Sequence, residues 1–208
     1  MHSEVLTPEA AALFPKLSSF RGDFYLAGGT ALALQLGHRV SVDFDLFSGD
    51  KIGKTFLSRV EGAFGLHNSE VVVQSSRELT LYAHGVKCTF LHYPFPLMIP
   101  LVSGEAIPLM DAREILATKA YTIGRRGSFK DYVDVFIGLR SGASSLSEVI
   151  AMASKKFGDG FNDRLFLEQL LFLDDLEEEP LEMLHGAIPS RQDITEFFSK
   201  EVKQISLL

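Results

Sequence analysis

The chain has 208 residues, of which 46% are hydrophobic and 23% are charged, with one cysteine and a formal net charge of −7. This composition is that of a globular protein rather than a disordered one. Its apolar runs are shorter than the ~20 residues of a membrane span, and Cys88 alone allows neither an internal disulfide nor a cysteine-based zinc site. The acidic balance argues against binding of extended duplex nucleic acid, but not against a polynucleotide end held in a locally basic cleft. Because the N-terminal residues lack the basic and apolar regions of a signal peptide, we expect a cytoplasmic protein with no membrane partner.

The first half of the chain alternates predicted helices and strands. Thr7 followed by Pro8 is typical of a helix start, Pro15 divides the first helix, and Gly37 is typical of a helix end. The predicted elements are a helix over 7–20, a strand over 24–27, a helix over 30–36, a strand over 40–47, a helix over 54–64, and strands over 71–73, 78–83 and 86–92, of which the last two form a hairpin.

The second half of the chain shows only the apolar spacing of helices. Helices are predicted over 111–125, 128–139, 146–157, 161–173 and 194–202. Together the two halves predict an α+β protein. Its domains are a core over 1–108, in which a mixed sheet is flanked by helices, and an all-helical region over 109–208.

Two carboxylates occupy the predicted strand over 40–47. Apolar residues alternate there with Ser41, Asp43 and Asp45, so both carboxylates project from the face opposite to an apolar face that includes Val42. Carboxylates two residues apart suit two divalent cations held ~3.5–4 Å apart, as in enzymes that displace pyrophosphate from a nucleotide. Mg²⁺ prefers such oxygen ligands. An Asp-x-Asp pattern also occurs often by chance, and an exposed strand face is the alternative interpretation.

A turn of small residues precedes this strand by one helix. Gly28 and Gly29 lie where a predicted strand meets a helix, so the backbone can approach a phosphate closely and the first N–H groups of the helix point toward it. The hydroxyl of Thr30 can add another donor. The alternative for this turn alone is a plain strand-to-helix connection with a threonine N-cap. The nearby pair of carboxylates favours the phosphate site.

These motifs together resemble the AbiEii-type nucleotidyltransferases, the toxin-like branch of the DNA polymerase β-like superfamily. The resemblance rests on LAGGTAL at 26–32, HRVSVDFDLF at 38–47, ILATKA at 115–120 and KDYVD at 130–134. It covers a little over half of the chain, and it implies a polymerase β-like core followed by a helical domain that contributes to the catalytic cleft.

The resemblance also implies roles for particular residues. Asp43 and Asp45 are expected to bind two Mg²⁺ ions. Lys119 and Asp131 are expected to complete the catalytic set from the helical region. Residues expected to contact the nucleotide are Gly28, Gly29, Thr30, Ser41 and Arg126, and those expected to support the site are Arg39, Lys130 and Asp134.

The expected reaction is transfer of a nucleoside monophosphate from an NTP to an acceptor hydroxyl. If the toxin resemblance extends to the substrate, the acceptor is the 3′ end of a tRNA and an antitoxin is a partner. A small-molecule acceptor of the antibiotic type is the alternative within enzymes. A third interpretation is a catalytically silent nucleotide-binding module. It arises because the strand over 86–90, where related enzymes often carry a third acidic residue, has none; Asp131 is one residue that could fill that role.

Overall fold

The computed structural model describes residues 1–67, 69–177 and 179–205, with all of their side chains except that of Arg126. The chain divides into two compact units, Met1–Asp111 and Ala112–Leu208. Among the described residues, no helix combines the length and the hydropathy that crossing a membrane requires.

The first unit contains a five-stranded sheet with three α-helices. Its helices and strands are α1 (Pro8–Leu13), β1 (Tyr25–Ala27), α2 (Gly28–Leu36), β2 (Phe44–Ser48), α3 (Phe56–Phe64), β3 (Glu70–Gln74), β4 (Glu78–Ala83) and β5 (Val86–His92). A 3₁₀ helix, Phe14–Phe20, follows α1 directly. Pro15 thus divides the first helical segment as predicted, because a proline ring disrupts α-helical hydrogen bonding.

The strand order is β1-β2-β5-β4-β3. The pair β2·β5 is parallel, whereas β1·β2, β3·β4 and β4·β5 are antiparallel. The sheet is therefore mixed, and the predicted α+β class is confirmed. The predicted hairpin is β4·β5, whose turn residues His84 and Gly85 both have positive φ (51° and 83°), as in a type I′ turn.

One face of this sheet packs on a cluster of phenylalanine rings. Phe44 and Leu46 of β2 are fully buried on this face. The ring of Phe20 lies 5.0 Å from that of Phe90 in β5 and 5.5 Å from that of Phe64 in α3. Burial of this apolar face fixes which side chains of β2 point away from the core, and Asp45 is among them.

The strand that carries the acidic residues is shorter than its sequence pattern predicts. β2 begins at Phe44, and Val42, assigned to the apolar face, is 47% exposed. The reason is that, within the described part of the chain, the segment before Phe44 has no continuous strand beside it; Ser41 makes an isolated bridge to Leu6. Asp43 therefore lies in the segment that enters the strand, not within the ladder.

The second unit is helical, as predicted. Its α-helices are α4 (Ala112–Arg126), α5 (Phe129–Arg140), α6 (Leu146–Phe157), α7 (Asp163–Leu170) and α8 (Arg191–Ile205). Helix α4 contacts α5, α6 and α7. An ion pair joins Lys156 of α6 to Glu114 of α4 at 2.5 Å, with both side chains fully buried. Gly138 of α5 lies against Leu116 of α4, and an added Cβ would meet that side chain at 2.6 Å.

Candidate active site

The double-glycine turn and one of the two carboxylates lie side by side. In the antiparallel pair β1·β2, Asp45 is the register partner of Ala27, the residue that precedes Gly28 and α2. A Cβ added to Gly28 would lie only 2.4 Å from Oδ2 of Asp45, and the φ of Gly28 is +64°. Glycine is therefore required both by the backbone conformation and by the approach of the carboxylate. The Asp45 carboxylate rests against the first turn of α2, where Gly29 also lies, half-buried.

A pair of buried hydroxyls connects the same turn to Asp43. The Oγ1 of Thr30 lies 2.7 Å from the Oγ of Ser41, and it donates a hydrogen bond to the backbone carbonyl of Asp43. Thr30 is 2% exposed and Ser41 is 6% exposed. The sequence assigned both residues to the nucleotide, but in the structure their hydroxyls bond to one another and to the backbone. Arg39, also buried, donates to the carbonyl of Val40 at 3.1 Å.

Both acidic residues act electrostatically on one point of the sheet. Cys88 of β5 is the register partner of Phe44, which lies between them. Burial raises the pKa of the Cys88 thiol to about 12, and the negative charges of Asp43 and then Asp45 add to the shift. The two carboxylates therefore concentrate negative charge at the start of β2, where a cation would offset their mutual repulsion.

The register of the parallel pair β2·β5 places a threonine beside Asp45, on the strand where related enzymes often carry a third acidic residue. Asp45 faces Thr89 in this register. The Thr89 Oγ1 lies 3.4 Å from that of Thr80, whose hydroxyl donates to Glu78 at 2.7 Å. No local pattern predicts this position for Thr89, because the pairing of two strands far apart in the chain is decided by tertiary structure. Among the described residues, no group of three or more His, Cys, Asp or Glu side chains could hold a metal ion.

The predicted residues of the helical unit form a compact charged trio. The Nζ of Lys119 lies 2.6 Å from Asp131 and 2.8 Å from Asp134, and the side chains are 11%, 15% and 0% exposed, respectively. Burial lowers the pKa of Lys119, but attraction to Asp134 and Asp131 outweighs it and holds the pKa above the usual lysine value. Asp131 also accepts a hydrogen bond from the backbone N–H of Ser128 at 3.1 Å. Both acids of the KDYVD motif thus share the helix face that meets Lys119.

Two basic residues near these acids, Arg125 and Lys130, have partners within the helical unit. Lys130 lies 3.8 Å from Glu179, and the guanidinium of Arg125 lies 3.7 Å from the ring centroid of Tyr121. Arg126 ends α4, and its side chain lies outside the described residues. The charges of Lys130 and Arg125 are therefore partly engaged within the helical unit.

Comparison with known proteins points to one family. The chain is 30% identical over 184 residues to an uncharacterized protein of Aquifex aeolicus (strain VF5), covering 88% of this chain and 87% of the relative. Its fold is similar to MenT4, a nucleotidyltransferase toxin of Mycobacterium tuberculosis H37Rv, with a TM-score of 0.65 at 17% identity over 100% of this chain and 88% of the other. It is also similar to JHP933 of Helicobacter pylori, with a TM-score of 0.51 at 14% identity over 99% and 95% of the two chains.

The family description "Nucleotidyl transferase AbiEii toxin, Type IV TA system" matches residues 11–204. This match spans both units and includes each of the sequence motifs, so the resemblance drawn from them is confirmed. The chain belongs to the AbiEii nucleotidyl transferase toxin family.

Proposed function

We propose that this nucleotidyltransferase moves a nucleoside monophosphate from an NTP to an acceptor hydroxyl and releases pyrophosphate. The observation that carries the proposal is the contact between the Asp45 carboxylate and Gly28 at the N-terminal turn of α2. A metal-binding acid and a phosphate-binding helix end then lie within reach of a single triphosphate.

The first turn of α2 would hold the triphosphate. α2 has nine residues, and its first N–H groups have no partner within the helix and carry the positive end of the helix dipole. Gly28 and Gly29 present no side chain there, so phosphate oxygens can approach the backbone closely.

Asp43 and Asp45 fit two Mg²⁺ ions by the chemistry of their donors. Both supply carboxylate oxygens, the ligand type that Mg²⁺ prefers, and the soft ligand nearest to them, Cys88, is fully buried with its pKa raised to about 12. Bound ions would neutralise charge on the phosphates and on the leaving pyrophosphate. Asp43 and Asp45 would hold these ions beside the N-terminal end of α2.

Asp131 is the group to which we assign the role of the third acidic residue. Lys119 and Asp134 hold its carboxylate in one orientation through contacts of 2.6 Å and 2.8 Å to the Lys119 ammonium. An oriented carboxylate can accept the proton of an acceptor hydroxyl. Lys119 then acts chiefly by holding the Asp131 carboxylate in place.

The acceptor in this proposal is the 3′ end of a tRNA, and the partner is a cognate antitoxin, as for a toxin of a type IV toxin–antitoxin pair. A small-molecule acceptor is the second candidate. It is favoured by the net charge of −7 and by the engagement of Arg125 and Lys130 with Tyr121 and Glu179.

The test is incorporation of label from each α-labelled NTP into total tRNA or into a panel of hydroxylated antibiotics, with Mg²⁺ or EDTA. Label is expected in tRNA only with Mg²⁺, and both Asp43→Asn and Asp45→Asn are expected to abolish it. Asp50→Asn is the matched control, because Asp50 is exposed beyond the other end of β2. Label in an antibiotic alone would replace the acceptor, whereas nucleotide binding without any labelled product would contradict the transferase.

A further inference from the structure

The segment that leads to Asp43 is held by backbone contacts at both of its ends, but its middle belongs to no strand. At one end the N–H of Ser41 donates to the carbonyl of Val5 at 2.8 Å, and at the other end β2 begins at Phe44. Between these points Val42 and Asp43 belong to no strand, and both are exposed. Without another contact, this part of the backbone could shift and carry the Asp43 carboxylate with it.

Thr30 supplies that contact from the first turn of α2. Its hydroxyl lies against both the Asp43 carbonyl and the Ser41 hydroxyl. A hydroxyl has one hydrogen to donate. Because a carbonyl only accepts, Thr30 donates to Asp43, and its oxygen accepts from Ser41. Both hydroxyl hydrogens are then used within the protein.

The Thr30 hydroxyl was expected to donate a hydrogen bond to a phosphate, but it already donates its hydrogen to Asp43. A threonine that donates to a phosphate needs its hydrogen for the ligand, and its side chain must reach the ligand. Thr30 is 2% exposed, and its hydrogen is already donated to Asp43. Its backbone N–H can still serve the triphosphate, but its side chain serves the acidic segment.

We infer that Thr30 and Ser41 are positioning residues, which fix the Asp43 carboxylate relative to the double-glycine turn and do not bind the triphosphate through their hydroxyls. This inference rests on the proposed function, since it assigns Asp43 to the metal. It assigns the hydroxyl of the Gly-Gly-Thr motif to metal placement and leaves phosphate binding to the backbone of the turn.

The experiment is calorimetric titration of each ribonucleoside triphosphate into the full chain, once in EDTA and once in excess Mg²⁺. Thr30→Val removes the hydroxyl at nearly constant volume. We expect the metal-free Kd to change by less than about twofold, and the Mg²⁺-dependent gain in affinity to fall about tenfold, the ratio that corresponds to one hydrogen bond. Thr30→Ser keeps the hydroxyl and is expected to restore the gain.

Ser41→Ala provides a second variant in case Thr30→Val does not fold. It removes the donor to Thr30 and leaves the bond to Asp43, so a smaller loss of the Mg²⁺-dependent gain is expected. A loss of metal-free affinity in either variant would overturn the inference, because it would show that the hydroxyls bind phosphate. Failure of the wild-type chain to bind any triphosphate would instead count against the proposed function.

Discussion

Replacement of Gly28 by alanine tests the contact on which the site depends. With φ at +64°, the left-handed conformation costs alanine about 1–2 kcal/mol, partly offset by about 0.4–1 kcal/mol from the stiffer unfolded chain. The new Cβ would also lie 2.4 Å from Oδ2 of Asp45, against at least 3.4 Å for an ordinary contact. The carboxylate must therefore move by about 1 Å, a displacement that can reduce catalysis by about 10²-fold.

Gly65→Ala is the matched control for the backbone term. Gly65 has a φ of +69°, and an added Cβ there would meet no atom closer than 4.0 Å. Thermal unfolding should show a similar left-handed cost in both variants, at about 2–4 °C per kcal/mol for a chain of this length. Label transfer should fall about 10²-fold only in Gly28→Ala. Full activity in that variant would refute the placement of Asp45 against the turn.

Three further predictions concern the packing around and beyond the site. Burial and the two nearby acids raise the pKa of the Cys88 thiol to about 12. At pH 8 this thiol should therefore react with a thiol reagent at least ~10³-fold more slowly than a free cysteine, and the reaction rate should rise with pH. Reaction of the folded protein at the rate of a free thiol would contradict this prediction. Gly138→Ala should destabilise the protein by about 1–3 kcal/mol in urea unfolding, because the added Cβ overpacks the contact between α5 and α4. The control Gly124→Ala places no atom within 4 Å of the added Cβ and should stabilise α4 by up to about 1 kcal/mol. Equal effects of the two variants would argue against close packing of α5 on α4. Lys156→Met should cost about 3–5 kcal/mol in the same assay, because it removes the ammonium group that pairs with the buried carboxylate of Glu114. Adding Glu114→Leu should recover most of this loss, and a cost below about 1 kcal/mol for the single variant would contradict a buried ion pair.

Several elements that depend on local pattern lie where the sequence predicts them. Helix α6 has the predicted bounds, and the Thr7 cap accepts a hydrogen bond from the N–H of Ala10. Such features depend on periodicity, capping and breakers, which act over a few neighbouring residues. Where an element depends on a distant neighbour, the local pattern is insufficient. Alternation predicted that Val42 lies in a strand, but β2 begins at Phe44, and none of the described strands pairs with Val42.

The sequence by itself determined the chemical identity of this protein: two acids spaced for a strand, a double glycine before a helix, and a lysine with two helical acids, which together indicate the nucleotidyltransferase family. Only the tertiary structure decided how these groups are used locally. The antiparallel register brings Asp45 to Gly28, and burial turns the Thr30 hydroxyl toward the Asp43 backbone. Local sequence fixes which donors and acceptors exist, but the partner that each one meets depends on strand register and packing between residues that are distant in the chain.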